Sequence, residues 1–248
     1  IHVPQLYLAS RASTPTVYLP QSCGPFGPLS GRVVPKLLSR MDHVWLRDDR
    51  SIAQCHWDHT HRAPDCALLG LERTSLPFDD GARPVIGTRD LKADANQSVA
   101  KLAKIVGPAD GLVQSAVGAN NDEPSTRKIA TGDIFDQARL QTMDHARVVV
   151  SVRLHGAIMA LAAGHYVIHL SYERKGYGAF DDLGLNEYVH NVYSFSPARV
   201  ADQVRALQHD PDARAAYDES VARAQERLHG SRQAIVTTMR TAPRRVQQ

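Results

Sequence analysis

The sequence contains few cysteines, no long apolar run and no strong excess of charge of either sign. Its 248 residues include three cysteines. That small, odd number excludes a disulfide framework and indicates a reducing, cytoplasmic compartment. No stretch approaches the roughly 18 consecutive apolar residues of a membrane-spanning helix. Residues 1–4 have neither the basic nor the apolar region that opens a signal peptide. We therefore expect neither a disulfide-stapled secreted protein nor an integral membrane protein.

The charge balance of 29 basic against 26 acidic residues gives a net charge of only +3. This value is too small to predict nucleic-acid binding, although it allows a locally basic cleft that binds an anion. The hydrophobic content of 43% is that of a globular protein and excludes disorder as the main state. The length is sufficient for one large domain or two smaller ones.

From residue 84 onward, short apolar strands alternate with helices. The strands predicted over residues 84–88, 111–117, 147–152 and 166–170 are mainly apolar rather than alternating, which is typical of a parallel sheet covered on both faces. The pattern therefore predicts an α/β fold. We expect a single helix over residues 133–143, and a loop over the polar, histidine-rich residues 55–64.

The turn at residues 79–84, which is rich in Asp, Gly and Pro, is the best candidate for a domain boundary. We predict an N-terminal half over residues 1–80 and a C-terminal half over residues 81–200. Two helices over residues 201–248 are expected to pack back across the halves. A proline stands in the first turn of both closing helices, where its missing N–H costs nothing.

Polar side chains follow two successive predicted strands. Ser151, Arg153 and His155 come directly after one buried strand, and Arg174 and Lys175 follow the next. Parallel strands end at the same edge of a sheet, where helix N-termini favour anions, so these side chains are expected to lie together. Guanidinium and ammonium groups suit a small, multiply charged anion, and an imidazole can donate a proton. The alternative interpretation is an N-cap with an incidental salt bridge, or a solvated charged turn.

A zinc site and a membrane contact are two weaker possibilities. Cys55, His59, His61 and Cys66 are residue types that bind zinc, but their spacing matches no common zinc module, so we predict no metal. The basic end of the closing helix is expected to be a solvated face, with weak peripheral membrane association as the alternative. Its arginines are Arg214, Arg223, Arg227, Arg240, Arg244 and Arg245.

Several segments together resemble the polysaccharide pyruvyl transferase family. The most specific are Ser-Val-Arg-Leu-His-Gly at residues 151–156 and Ser-Tyr-Glu-Arg-Lys at residues 171–175. Upstream, the family's middle region resembles residues 20–26, around Gly24, and the turn at residues 47–51. Further similarity is carried by Pro64-Asp65, by Asn-Asp-Glu at residues 121–123, by Ala-Leu-Ala-Ala-Gly at residues 160–164 and by Asp-Leu-Gly-Leu at residues 182–185. The likeness extends from about residue 16 to about residue 207.

The resemblance implies a fold similar to the GT-B glycosyltransferases, with two Rossmann-like halves facing a cleft and a helical C-terminal tail. Family members usually begin with an Asn-x-Gly-Asp loop, and nothing in this sequence matches it, so the N-terminal half is expected to be partial. The implied reaction transfers pyruvate from phosphoenolpyruvate to a sugar as a cyclic ketal, on a cell-surface polysaccharide or glycolipid precursor. No cofactor and no nucleic acid is implied.

Site roles follow from the same resemblance. Arg153, the backbone of Leu154 and His155 are expected to bind the donor, and Lys175 to hold its charge. Arg47 is expected to reach in from the other half. Gly24, Ser151, Arg174, Asp122 and Glu123 complete the expected substrate-binding set. His155 is the best candidate for the general acid, because its ordinary pKa lies near neutrality.

The general base and the class of activity stay open at this point. Asp48, Asp49, Asp122 and Glu123 are all candidates for the base. One alternative function is that of a GT-B glycosyltransferase whose cationic strand ends hold the diphosphate of a nucleotide sugar. Another is that of a non-catalytic, glycan-binding family member. A titration with phosphoenolpyruvate and with a nucleotide sugar distinguishes all three.

Overall fold

The structure is a computed structural model that describes residues 3–241. The chain divides into two compact units, each of which has its own parallel sheet. The first unit comprises the residues up to Gly70 together with those from Glu226 onward, and the second comprises Leu71–Gln225. The predicted α/β class with parallel sheets and a helical C-terminal end is confirmed. Arg244 and Arg245 lie outside the described residues.

The first unit contains a three-stranded parallel sheet in the order β1-β2-β3. Its core is built around Leu38, Val44 and Leu46 and includes Cys23 and Cys55. The elements are α1 (Val3–Ala9), β1 (Val17–Gln21), α2 (Ser30–Leu38), β2 (His43–Leu46), α3 (Asp49–Gln54), β3 (Thr60–Arg62) and α4 (Cys66–Leu69).

The second unit contains a six-stranded parallel sheet in the order β6-β5-β4-β7-β8-β9. This is the doubly wound Rossmann order, in which the direction of winding reverses between β4 and β7. Its strands are β4 (Val85–Gly87), β5 (Asp110–Val113), β6 (Ile134–Asp136), β7 (Val148–Ser151), β8 (Tyr166–Ser171) and β9 (Val189–Asn191). Its helices are α5 (Ala93–Val106), α6 (Glu123–Arg127), α7 (Gln137–Gln141), α8 (Leu154–Ala162), α9 (Arg174–Asp182), α10 (Pro197–His209) and the first part of α11 (Pro211–Thr241). Single 3₁₀ turns lie at Gly118–Asn120 and Asn186–Tyr188.

The central strands β7 and β8 are buried along their whole length. Val149, Val150, Val167 and Ile168 are almost fully excluded from solvent, as expected of strands covered on both faces. The sequence pattern therefore identifies these two strands correctly, and their carboxyl ends bring the polar residues that follow them to one edge of the sheet.

Two of the predicted elements are wrong. The loop expected over residues 55–64 contains β3, which pairs in parallel with β2 through Trp45 and His61. The helix expected over residues 133–143 begins with β6, which pairs with β5 and leads into the short α7. Both missed strands lie at the edge of a sheet and have only half-buried or exposed side chains, so no apolar pattern marks them.

The division between the units falls ten residues before the predicted boundary at residue 80. Residues 71–80 belong to the second unit because their side chains and backbone bond within it. Arg73 forms an ion pair with Asp218, and Phe78 forms a parallel bridge with Ala146. The closing helix α11 contributes to both units. Its apolar stripe includes Tyr217 and Val221 in the second unit, and Ile235 packs with Trp45 and Ala63 in the first.

No helix in the described part of the chain is both long enough and apolar enough to cross a bilayer.

Two arginines of the predicted basic face of α11 have acidic partners. Arg214 lies near Asp80 and its guanidinium covers the Phe78 ring at 4.1 Å, and Arg223 pairs with Glu219.

Candidate active site

Arg153 is the second residue after β7, beside the point where the winding of the larger sheet reverses. Its Nε and Nη2 each donate to a carboxylate oxygen of Asp122 at 2.6 Å, and Nη2 also donates to the Asn120 carbonyl at 2.9 Å. The Asp122 side chain is only 2% exposed and that of Arg153 is 19% exposed. The hydrogen bonds that Arg153 donates to Asp122 raise the pKa of Arg153. A buried carboxylate therefore fixes the guanidinium in place, and Nη1 takes part in neither bond.

A second arginine, which the sequence analysis missed, reaches the same place from β4. Arg89 donates from Nη1 to the Tyr172 hydroxyl and from Nη2 to the Asn120 side-chain oxygen, each at 3.4 Å. Its guanidinium also lies 5.5 Å from the centre of the Tyr172 ring, within cation–π range. We call Arg89, Asn120, Asp122, Arg153 and Tyr172 the switch-point cluster.

The switch-point cluster draws its members from the ends of three strands and from the turn before α6. β4 and β7 are adjacent in the sheet and so are β7 and β8, so Arg89, Arg153 and Tyr172 emerge side by side. Asn120 and Asp122 come from the turn after β5. The strand-end rule that singles out Arg153 also applies to Arg89, two residues after a buried strand, and could have found it.

Helices α8 and α9 both start at this edge without a side-chain cap. The N-cap of α8 is Arg153 and that of α9 is Glu173, and neither side chain accepts a bond from the helix. By contrast, Asp48, Asp65 and Asp136 cap α3, α4 and α7. Uncapped N–H groups at the start of two neighbouring helices favour an anion.

Ser151 and Leu154 shape the turn between β7 and α8. The Ser151 hydroxyl donates to the Arg153 carbonyl at 3.0 Å, and Leu154 is buried as the first residue of the helix. Gly156 lies in the first turn of α8. A Cβ there would stand 2.3 Å from the Gln114 side-chain oxygen, which has no hydrogen-bond partner among the described residues. The backbone of α8 therefore approaches the Gln114 side chain more closely than a larger residue at position 156 would allow.

The remaining predicted donor residues are not joined to Arg153 by the contacts described. His155 is exposed on the first turn of α8. Lys175, in the first turn of α9, pairs with Glu173 at 2.8 Å. Arg174 is half-buried at the start of the same helix. Glu123 forms an exposed i,i+4 pair with Arg127, away from the guanidinium that Asp122 holds.

Beneath α9 lies a buried histidine, His169. His169 shares a hydrogen bond of 2.8 Å with the Ser151 carbonyl through Nδ1. Burial, together with the nearby charge of Lys175, lowers the pKa of His169 to about 4. The ring is therefore neutral at pH 7, and its Nδ1 carries the proton donated to Ser151.

In the first unit, a separate polar network surrounds Arg47 at the carboxyl ends of its strands. Arg47 forms an ion pair with Asp65, and its Nε donates to the Ser22 hydroxyl at 2.7 Å. Ser22 in turn donates to Asp48 at 2.6 Å, and Asp48 caps α3 through the Ser51 N–H. We call Ser22, Arg47, Asp48, Ser51 and Asp65 the Arg47 network. Its contribution to a site shared with the other half stays a prediction.

Two acidic residues proposed as the base have other partners. Asp122 is committed to Arg153 by two hydrogen bonds, and Asp49 is fully exposed and lies 3.5 Å from Arg62.

Gly24 adopts a positive φ of 83° in the loop after β1.

The residues weighed as zinc ligands do not assemble. Cys55 lies against Cys23 in the core, whereas the exposed Cys66 bonds the Pro20 carbonyl. Within residues 3–241 no group of three or more His, Cys, Asp or Glu side chains is placed to hold a metal ion.

The sequence model of the polysaccharide pyruvyl transferase family matches residues 2–174. The chain belongs to the polysaccharide pyruvyl transferase family. The family membership predicted from the sequence is therefore confirmed. The matched segment includes Arg47, Arg89, Asp122 and Arg153. Among curated proteins, none matches this chain at a significant level.

Two solved structures are similar to the chain. A mutant of the O-GlcNAc transferase of Thermobaculum terrenum has a TM-score of 0.46 and 16% identity, with 81% of this chain and 44% of that chain covered. The glycotransferase of kitacinnamycin has a TM-score of 0.48 and 14% identity, with 87% and 59% covered. The chain therefore spans about half the length of these structures.

Proposed function

We propose that this protein transfers pyruvate from phosphoenolpyruvate to a sugar of a cell-surface polysaccharide or glycolipid precursor. The observation that carries the proposal is the pair of arginines, Arg89 and Arg153, that meet at the switch point with Asp122 holding one of them. Phosphoenolpyruvate carries a carboxylate and a phosphate close together. Two guanidinium groups beside two uncapped helix N-termini offer charge-assisted hydrogen bonds to both groups. Membership of the family supports the same donor.

The proposed reaction adds one proton to a carbon atom of the donor and releases the phosphate of the donor. The methylene carbon of the donor is protonated while a sugar hydroxyl attacks C2, and this step breaks the carbon–carbon double bond. The bond between C2 and the phosphate oxygen then breaks. A second sugar hydroxyl bonds to C2 and closes the cyclic ketal. Of the two hydroxyl protons, one balances the new methyl group and the other leaves with phosphate.

Each residue near the switch point then has a proposed role. Arg153 and Lys175 stabilise the departing phosphate, which is the largest electrostatic demand of the reaction. Leu154 binds through its backbone N–H, and Arg89 holds the carboxylate. Exposed on the first turn of α8, His155 is the proposed proton donor to the methylene carbon. Asp122 acts as a positioning residue because it reaches the substrate only through Arg153.

We propose that no metal or other cofactor takes part. In place of a metal ion, the fixed cationic side chains neutralise the negative charge of the donor. Activity should therefore survive prolonged treatment with a chelator.

We also propose that the protein works in the cytoplasm, at the inner face of the membrane where lipid-linked sugars are made. The three free cysteines suit a reducing compartment. On α11, Arg227 and Arg240 are exposed and offer weak attraction to anionic lipid.

The proposal is tested by following both products of one reaction. The protein is incubated with phosphoenolpyruvate labelled with ¹³C at the methylene carbon and with a cell-envelope glycan extract. We expect a labelled methyl signal on the glycan by NMR, with one phosphate released per pyruvyl group. Transfer of sugar from a labelled nucleotide sugar, without pyruvyl transfer, would instead establish a glycosyltransferase. Glycan binding without any transfer would establish a non-catalytic family member.

A further inference from the structure

Two buried cysteines in the first unit lie against each other. Cys23 is in the loop after β1, and Cys55 follows the last residue of α3. Their Sγ atoms are 3.5 Å apart and joined by a hydrogen bond. Both side chains are completely buried, and both thiols are free. The third cysteine, Cys66, is exposed on α4.

The backbone around the pair is fixed along α3. The Ser51 hydroxyl accepts from the Cys23 N–H at 2.7 Å and donates to the Cys23 carbonyl at 3.1 Å. At the next residue, Gly24 has a positive φ, and a Cβ there would stand 1.7 Å from the Gln54 side-chain oxygen. The loop is therefore held against α3 both at Ser51 and at Gln54, next to Cys55. This arrangement keeps the two sulfur atoms facing each other.

The two thiols differ in their readiness to ionise. The shared hydrogen bond lowers the pKa of Cys55 and raises the pKa of Cys23, which burial raises further. Thiolate character determines which cysteine attacks an oxidant, so Cys55 is the nucleophile of the pair and Cys23 the resolving thiol.

We propose that Cys23 and Cys55 form a reversible intramolecular disulfide when the protein meets a small peroxide. The sulfur atoms have to close about 1.5 Å of separation to reach the S–S bond length of about 2.05 Å. The Cys55 thiolate attacks a peroxide oxygen, and the O–O bond breaks to give a sulfenic acid and hydroxide, which the proton released by the Cys55 thiol converts to water. The Cys23 sulfur then attacks the Cys55 sulfur, and the S–O bond breaks with loss of a second water. Two thiols are oxidised and one hydrogen peroxide is reduced.

The cross-link adjoins the Arg47 network. Ser22, which bonds both Arg47 and Asp48, precedes Cys23, and Ser51 bonds both Asp48 and Cys23. A change in the position of Cys23 is therefore passed directly to these side chains. Where disulfides form in cytoplasmic proteins, they are usually transient and act in catalysis or redox sensing.

The test uses peptides that trypsin separates. Cys23, Cys55 and Cys66 lie in three different tryptic peptides, residues 12–32, 51–62 and 63–73. The folded full chain is treated with hydrogen peroxide, its remaining thiols are alkylated, and the digest is examined without reduction. We expect peptides 12–32 and 51–62 to be linked, with a mass about 2 Da below their sum. Dithiothreitol should separate them again.

The exposed cysteine provides the matched control. C66S should still lose about 2 Da as an intact monomer, whereas C23A and C55A, each combined with C66S, should not. Should either alanine variant fail to fold, the peptide map of the unmodified chain decides the matter alone. Linkage through Cys66, sulfinic acid on Cys55 without a cross-link, or three alkylated thiols after treatment would each overturn the proposal.

Discussion

Asp122 holds Arg153 through two of its three guanidinium nitrogens, each 2.6 Å from a carboxylate oxygen. The carboxylate is almost fully buried, so the pair is shielded from solvent on the side that faces the protein. A buried, bidentate partner fixes the orientation of a side chain that would otherwise sample many rotamers. The relationship predicts that donor affinity depends on an acidic residue that never touches the donor.

Replacing Asp122 with Asn should weaken phosphoenolpyruvate binding about 10-fold, because one charge-assisted bond is lost and Arg153 is no longer held. Calorimetry measures the change, and circular dichroism verifies the fold. Within residues 3–241 the adjacent Glu123 side chain pairs with the exposed Arg127, so Glu123→Gln is the matched control and should change the Kd less than about twofold. Tighter binding by Asp122→Asn would show instead that Asp122 competes with the donor for Arg153.

Arg89→Gln should also reduce phosphoenolpyruvate affinity about 10-fold, since a charged contact to the carboxylate and the cation–π contact with Tyr172 are both lost. Arg127→Gln removes an arginine of the same unit outside the switch-point cluster and serves as the comparison. Equal affinities for the two variants would remove Arg89 from the donor site.

His155→Gln should leave donor affinity within about threefold while turnover falls by roughly 10²–10⁴, the usual contribution of a general acid. Phosphate release is measured at saturating donor with a glycan extract that supports the unmodified protein. A variant that loses donor binding but keeps its turnover would make His155 a binding residue. The proton would then come from Lys175 or from water.

His169 makes stability depend on pH in a defined direction. Its folded pKa of about 4 lies below its ordinary value of about 6.5, so the unfolded chain takes up a proton first as the pH falls. Stability is therefore full above about pH 6.5 and is lost progressively toward about pH 4. For this largely buried ring the difference corresponds to about 3 kcal/mol. Urea unfolding of His169→Gln, which keeps a donor for the Ser151 carbonyl, should show a flatter profile between pH 4.5 and pH 6.5. An unchanged slope would mean that other groups, such as the buried His165, set the acid response.

The sequence predicts the elements whose burial is continuous. β7 and β8 are recognisable because each is a mainly apolar run without alternation, and Arg153 follows shortly after the end of such a run. β3 has no such pattern, since Thr60, His61 and Arg62 are all half-buried, and its pairing with β2 is decided by tertiary contacts.

Like the pairing of β3, the order of the strands in the sheet cannot be predicted from the local sequence pattern. β4 and β7 are adjacent although more than 60 residues separate them, and only this adjacency brings Arg89 beside Arg153. The Asp122–Arg153 pair depends on the same topology, because the turn before α6 has to fold over the end of β7. Residue types at strand ends can therefore be predicted, whereas their partners cannot.

Calorimetric titration of phosphoenolpyruvate into the unmodified protein and into Arg153→Ala tests the central claim most directly. We expect one donor bound per chain, no comparable heat with a nucleotide sugar, and affinity in Arg153→Ala reduced about 10- to 100-fold, as expected for loss of a charge-assisted contact of about 1.5–3 kcal/mol. Equal affinity in the two proteins, or binding of a nucleotide sugar but not of phosphoenolpyruvate, would contradict it.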